Sequence, residues 1–392
     1  MKDRYDVVVV GGGPGGSMAA FKAAKGGASV CILEKDRDIG YPVRCGEAIG
    51  ESGLKQFGDI QPEWIAASIT DFRLVSPNGT RIDTRFSGQK GFILHRRIFD
   101  YDLCIKAASA GADVFTKAYV SGLMIEDGYV TGVRLNHLGD EKVVRSHIVI
   151  AADGVESRVG RWAGIRTNVK MKDMESCMQY SVANVDINPN RIDFFVGDVY
   201  APGGYLWVFP KGDNSANIGI GISGAHTQQY NAKKLLDDFI SREYPKAAKL
   251  TSMCGGVPCA SPLKDAVKNG LILVGDAAHQ VNPMTGGGII SAMKGGWIGG
   301  GIAAESILTH DYSASFLNRY NQVVRKDFGD THHRFHRIKE VISSLTDREL
   351  DSIAQNIGKI PEDKRTLTQI FKACVVKKPS LILDVIKVFA GV

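Results

Sequence analysis

Residues 5–10 read Tyr-Asp-Val-Val-Val-Val, a β-branched run that stops at Gly11-Gly12-Gly13. An apolar run of that length, closed by glycines, predicts a strand buried on both faces, as in a parallel sheet. Residues 15–26 carry helical spacing, and Ala28 to Glu34 reads as the next strand. A second helix is expected over 95–111, then a meander of short strands over 113–151 with turns at Asp127-Gly128 and Gly139-Asp140. Two further apolar strands, His147 to Ala152 and Leu271 to Val274, run into Asp153-Gly154 and Gly275-Asp276.

Between these pieces lie two stretches, 56–94 and 166–262, where apolar and polar residues alternate and turn formers recur. Alternation marks strands with one apolar and one polar face, so both are assigned to an inserted, sheet-rich substrate domain. Residues 1–55, 95–165 and 263–310 then form a discontinuous dinucleotide-binding domain, and 311–392 a C-terminal helical region. The fold class is α/β: a Rossmann-like βαβ domain with an inserted antiparallel sheet and a helical tail. That tail carries Lys364, Arg365, Lys372, Lys377, Lys378 and Lys387, with Leu381, Ile382, Val385, Ile386 and Phe389 at helical spacing. Two readings stay open for it: a helix covering the core with its lysines solvated, or one docking on an anionic membrane.

Composition refines this only a little. At 392 residues the chain can bury two packed domains, and 44% apolar with 23% charged residues is ordinary for a soluble protein. A net charge of +6 favours an anionic substrate or membrane surface. With no arginine-rich run interleaved with aromatics, nucleic acid is not expected as a partner. No apolar stretch approaches the roughly 18 residues that span a bilayer, and no apolar leader precedes the first strand. A cytoplasmic site is therefore expected, with peripheral contact at the inner face of the membrane left open. The seven cysteines show no CxxC pair and no zinc or iron–sulfur spacing, so no metal is expected. Cys254 and Cys259 are read as thiols in preference to a disulfide.

The chemistry begins at Gly11-x-Gly13-x-x-Gly16, after a strand and at a helix start. The first glycine permits the turn, the second lets backbone approach a pyrophosphate, and the third lets helix and strand pack closely. The helix N-terminus, with Gly15 in its first turn, offers unpaired N–H groups to phosphates. Glu34, 23 residues after Gly11, closes the second strand, where a carboxylate accepts from a ribose diol. Asp153, in Asp153-Gly154-x-x-Ser157-Arg158, follows one later strand. Asp276, with Pro283 and the run Gly286-Gly287-Gly288-Ile289 behind it, follows another. An Asp after a strand can bind a ribityl hydroxyl, and a glycine run opening a helix can meet negative charge developing on a flavin. These additions favour FAD over NAD.

The three segments together resemble the p-hydroxybenzoate hydroxylase-like FAD superfamily, over roughly residues 1–310. That resemblance implies cofactor contact by Arg96, in His95-Arg96-Arg97-x-Phe99-Asp100, and by the backbone at Val120. Pro202-Gly203-Gly204-Tyr205-Leu206-Trp207-Val208-Phe209-Pro210 fits PxxYxWxFP, a motif of geranylgeranyl reductases. Tyr41-Pro42-Val43-Arg44-Cys45-Gly46-Glu47 resembles the Cys-Gly stretch those enzymes place beside the flavin. Within that family the chain is similar, end to end, to archaeal members acting on digeranylgeranylglycerol phospholipids. The resemblance implies an isoprenoid ether-lipid substrate and saturation of its prenyl double bonds.

An isolated trisubstituted alkene has no carbonyl to polarise it. Hydride can reach one carbon only as a proton reaches the other, so a dry apolar channel is needed, with an acid opposite the flavin. Cys45 is the leading catalytic candidate, to donate that proton or to tune access, against the alternative of a packed thiol. Arg44, Cys45 and Gly46 are candidates at the cofactor, with Arg44 open between a phosphate contact and an exposed loop cation. Tyr205, Trp207 and Phe209 are candidates to shape the prenyl tunnel, depending on which way the rings face. His279 reads as a structural histidine. Gly295-Gly296 and Gly299-Gly300-Gly301 mark either close helix packing or a bend. The reductant is open between NAD(P)H and a small carrier such as ferredoxin. The alternatives to a prenyl reductase are an FAD monooxygenase or epoxidase on an apolar substrate, and a non-catalytic prenyl-binding protein.

Overall fold

The computed structural model describes residues 1–86, 90–376 and 378–389, so Lys377 lies outside the described residues. Strand β1 (Arg4–Val10) is the centre of the first sheet, and its valines 7–10 are buried. Helix α1 (Pro14–Lys25) opens on a proline in its first turn, where the missing N–H costs nothing, and closes at Gly26. Strand β2 (Val30–Leu33) pairs parallel with β1, Val7 opposite Val30. After helix α2 (Arg96–Ser109), a strand at Asp113–Phe115 extends the sheet beyond β2.

The expected meander is present, but its strands are not short. Ala118–Glu126 and Tyr129–His137 have nine residues each, and β3 (Asp140–Ala151) has twelve. One half of β3 closes the antiparallel meander, while the other turns inward and pairs parallel with β1, Val7 opposite Ile148. A single strand therefore serves two layers, which alternation alone does not reveal.

The second sheet has seven strands. Its centre is β4 (Met174–Ala183), β5 (Tyr205–Gly212) and β6 (Ser215–Ser223), with β6 between the other two. One face packs on α3 (Ala232–Glu243), whose Leu236, Phe239 and Ile240 meet Leu206, Val208, Ile218 and Ile220. Strand β7 (Ala248–Pro258) pairs with β4 at one edge. Towards the other edge, Arg191–Val196 pairs parallel with Asp71–Val75, so strands from both inserted stretches share this sheet and one pair in it is not antiparallel. A separate three-stranded sheet joins Ala48–Gly50, Gly91–Leu94 and Ile65–Ile69.

Strand β8 (Leu271–Leu273) completes the parallel core beside β3. Helix α4 (Ile289–Thr309) follows as one continuous helix of 21 residues lying against α1. Its glycines serve close packing: a Cβ on Gly296 would sit 2.0 Å from Gly15 O, and one on Gly300 2.2 Å from Ala19 O. Helices α5 (Asp330–Ile342) and α6 (Ile382–Phe389) pack through Ile338, Val341, Leu381 and Val385. The tail helix thus covers a small core, while Leu383 (63% exposed) and Ile386 (40% exposed) face outward. Among the described residues no helix is long and apolar enough to cross a membrane.

Candidate active site

The glycine turn after β1 is built as its spacing requires. Gly11 has φ +103°, and a Cβ there would lie 2.3 Å from Ala152 O on the neighbouring strand's exit. A Cβ on Gly16 would lie 1.9 Å from Gly11 O, so helix and turn touch backbone to backbone. At Gly13 a Cβ would meet nothing within 4 Å. That open space at the N-terminus of α1 is the cradle a pyrophosphate needs.

Glu34 holds the turn together as well as marking it. Its Oε2 accepts from Gly12 N at 2.8 Å and its Oε1 from Asp36 N at 2.8 Å. A carboxylate has about four acceptor positions, so room remains for a ribose hydroxyl. Ala118 N donates to Glu34 O at 2.8 Å, which brings the strand bearing buried Val120 alongside.

Asp153 and Asp276 follow β3 and β8. Asp153 Oδ2 accepts from Val159 N at 3.0 Å, while Oδ1 is buried without a partner. An orphaned buried acceptor beside an open phosphate cradle fits a hydroxylated, phosphorylated ligand such as FAD. Asp276 Oδ1 lies 3.3 Å from where a Gly288 Cβ would stand, at the start of α4. Burial pushes the Asp276 carboxyl up, and the Arg96 guanidinium pulls it partly back. At the head of α4 Gly287 N donates to Thr285 Oγ1 at 3.2 Å, and Ile289 packs with Met18 and Met293. That first turn contains no acid, which leaves its N-terminal field unopposed.

Arg96 is not a surface cation. Its side chain is 14% exposed and fork-bonded to Asp100, Nε and Nη2 each at 2.7 Å, one turn along α2. Burial opposes its charge, yet Asp100, Cys45 and Glu47 together hold it well above the usual range.

Cys45 and Gly46 lie against the second sheet. Cys45 O accepts from Gln179 Nε2 at 3.0 Å, and Gln179 Oε1 accepts from Trp207 Nε1 at 3.2 Å. A Cβ on Gly46 would be 2.9 Å from the Phe209 ring. Cys45 Sγ accepts from Glu47 N at 3.2 Å. Burial pushes the thiol up, with Arg96 acting the other way.

The pleat of β5 sets which way the aromatic rings face. Leu206 and Val208 turn to α3, so Tyr205, Trp207 and Phe209 turn to the opposite face, towards Cys45 and Gly46. Register explains why such rings fit there. Tyr205 pairs with Gly221 and Trp207 with Gly219 across β5 and β6. A Cβ on Gly219 would be 2.3 Å from the Trp207 ring, so the glycine lets the indole lie flat on the sheet. Tyr205 OH donates to Thr285 O, tying this wall to the loop before α4.

Four residues essential to this arrangement carried no assignment from sequence: Glu47, Gln179, Lys211 and Asn217. Glu47 is 5% exposed and sits at φ +71°, a conformation that costs a side-chain-bearing residue energy. Its Oε1 accepts from Arg96 N at 3.0 Å, and its Oε2 from Lys211 Nζ at 2.8 Å and Asn217 Nδ2 at 2.6 Å. The carboxylate therefore clamps the Cys45–Gly46 segment to α2 and to the sheet. Its place directly after Cys45-Gly46 was the one available signal.

Arg44 is exposed on its loop. His279 is buried with Nε2 at 3.0 Å from Thr167 O, and burial lowers its pKa, as suits a structural histidine. Cys254 is exposed and Cys259 buried, and both are free thiols.

Comparisons with known proteins match this chain to a reductase family and an FAD-binding fold. A family model described as the geranylgeranyl reductase catalytic domain matches residues 173–257, and one described as an FAD binding domain matches residues 6–47. The digeranylgeranylglycerophospholipid reductase of Methanocella arvoryzae is 43% identical over 389 residues, 98% of this chain and 99% of that protein. Digeranylgeranylglycerophospholipid reductase 2 of Methanococcoides burtonii is 44% identical over 395 residues, 100% of this chain and 97% of that one. Among solved structures, a geranylgeranyl bacteriochlorophyll reductase-like protein from Thermoplasma acidophilum superposes with a TM-score of 0.91 at 36% identity, covering 99% of this chain and 100% of that chain.

Proposed function

The chain belongs to the geranylgeranyl reductase family, and on that footing we propose that it reduces the C=C bonds of geranylgeranyl chains in a digeranylgeranylglycerol phospholipid, with FAD as cofactor. The observation that carries this reading is the apolar wall of Tyr205, Trp207 and Phe209, laid against Cys45-Gly46 and tied to the loop before α4. A prenyl chain needs such a dry, ring-lined surface, and reduction in it needs water kept out.

Bound FAD supplies a hydride once reduced. Gly11, Gly13, Gly15 and Gly16 with Glu34 hold its dinucleotide end, and Val120 backs its adenine. Arg96, Asp276 and the Gly287–Ile289 turn hold the other end, with Arg44, Cys45 and Gly46 alongside. The Arg96 guanidinium and the head of α4 favour negative charge there. Cys45 borders the chamber and sets access to it. Electrons come from NAD(P)H or a small carrier such as ferredoxin. The lipid enters from a membrane touched by α6, whose outward Leu383 and Ile386 lie beside Lys387 and follow Lys378 in the chain.

The test is anaerobic. Flavin bound to the purified protein is reduced with dithionite and mixed with a geranylgeranyl glycerophospholipid. Reoxidation with a saturated product is expected, and vesicles of anionic lipid are expected to pellet the protein. Flavin that stays reduced under nitrogen but yields oxygenated lipid in air would instead mark a monooxygenase.

A further inference from the structure

We propose that Glu175 is the acid that delivers the proton to the alkene, from the wall of the chamber facing the loop before α4. The inference rests on the reductase reading above and names a residue for its second half-transfer.

Glu175 lies on β4, on the same face as Cys177 and Gln179 and away from α3. It is 8% exposed. One oxygen, Oε1, lies 3.2 Å from Lys339 Nζ, while Oε2 is buried with no hydrogen-bond partner. A buried carboxyl oxygen left unmatched is costly unless it carries a proton or meets a ligand. Oε2 lies beside Gly204, where a Cβ would stand 3.1 Å from it. The adjoining strand residue Val257 pairs with Glu175, and its Cγ1 comes within 3.8 Å of a Cβ on Gly286. Glu175 thus stands one row from Tyr205 on this face, and both rows reach the Thr285–Gly288 loop, Val257 Cγ1 at 3.8 Å and the Tyr205 hydroxyl at 3.6 Å from a Cβ on Gly286.

Burial raises the Glu175 carboxyl above its ordinary range, with Lys339 opposing. The charged and titratable groups around it are Lys339 from α5, Asp173 before β4, His226, Tyr205, Cys177 and Cys259. Of these only Lys339 reaches the carboxyl directly. The Cys45 thiol is a poorer donor, since burial holds its proton more tightly than in a free thiol. A carboxyl is intrinsically the stronger acid of the two, and an unactivated alkene needs the stronger one. In the step, the Glu175 O–H bond breaks and its proton forms a C–H bond at one alkene carbon. The hydride forms the C–H bond at the other, and the π bond is consumed. The carboxylate left behind is met by the Lys339 ammonium 3.2 Å away and regains a proton from water before the next turnover.

Glu175→Gln keeps the shape and removes the acid. Reduced flavin in the variant is expected to be reoxidised by geranylgeranyl lipid at least about 100-fold more slowly, with FAD bound and dithionite reduction unchanged. Infrared spectra supply a readout independent of turnover: the FAD-free wild type should show a protonated-carboxyl band at neutral pH that is absent in Glu175→Gln. The wild-type reoxidation rate should fall as pH rises through that band's titration. Retention of rate and pH profile in Glu175→Gln overturns the proposal, as does a Glu175 ionised at neutral pH. Should Glu175→Gln fail to fold, Glu175→Asp decides, by a shifted band and partial activity or by neither. A wild type whose flavin the lipid does not reoxidise overturns the reductase reading itself.

Discussion

Lys211 Nζ and Glu47 Oε2 meet at 2.8 Å, although 164 positions separate them, and both side chains are largely buried. This pair fastens the segment bearing Cys45 to the second sheet. Lys211→Ala leaves Glu47 buried with only neutral hydrogen-bond partners, and truncating one side of such a pair costs about 3–5 kcal/mol. Urea unfolding should show that loss. The exposed Lys249–Asp237 pair is the control, where Lys249→Ala should cost under about 1 kcal/mol.

Gly296 and Gly301 stand on the same helix and should respond oppositely. A Cβ at Gly296 collides with Gly15 O, so Gly296→Ala should pry α1 from α4, costing about 1–3 kcal/mol and weakening FAD retention. At Gly301 a Cβ would meet only the Lys22 side chain, 3.5 Å away. Gly301→Ala should gain up to about 1 kcal/mol from helix propensity. Thermal melts with and without added FAD separate the two.

Glu34→Ala removes the acceptor of Gly12 N and Asp36 N as well as the proposed ribose partner. Charge-assisted bonds of this kind are worth about 1.5–3 kcal/mol each. FAD affinity, followed by flavin fluorescence on titrating apoprotein, should fall at least about tenfold.

Gly219→Ala tests the fit of the Trp207 ring, which lies where the new methyl must go. The indole should be forced into the chamber, raising the KM for lipid while FAD binding is unchanged. Equal KM values in wild type and variant would contradict the placement of that ring on the chamber wall.

His332 predicts a pH effect whose sign is fixed by burial. It is 7% exposed, and burial, helped by His333 and Lys294, lowers its pKa from 6.5 to about 4. The unfolded imidazole takes its proton at the higher pH, so between pH 6.5 and 4 the unfolded state binds more protons. Stability should therefore be intact above pH 6.5 and decline by about 3 kcal/mol on acidification to pH 4. His332→Phe should flatten that decline in denaturation curves taken across the range.

Much of the first sheet was legible because its signals are local. The valines of β1, the glycines at 11, 13 and 16 and the acid at 34 all act within one βαβ unit. The length of β3 was not legible, since its outer half answers to the meander and its inner half to β1. Arg96 was named, yet only Asp100 one turn away and the packing around it show that it is buried. Gln179, Lys211 and Glu175 had no local signal, and Glu47 only its place after Cys45-Gly46, because each acts through partners at least 28 positions distant.

By itself the sequence determined the dinucleotide turn, the acid that closes it, and the alternation that places Tyr205, Trp207 and Phe209 on one face of a strand. Short-range sterics and the two-residue period of a strand suffice for those. Which face became the chamber wall was decided only when α3 covered the other, through Leu236, Phe239 and Ile240. The clamp at Glu47 and the burial of Glu175 were likewise decided by tertiary structure. A carboxylate finds its partners through space, and burial that makes those contacts strong exists only once distant strands and helices have packed.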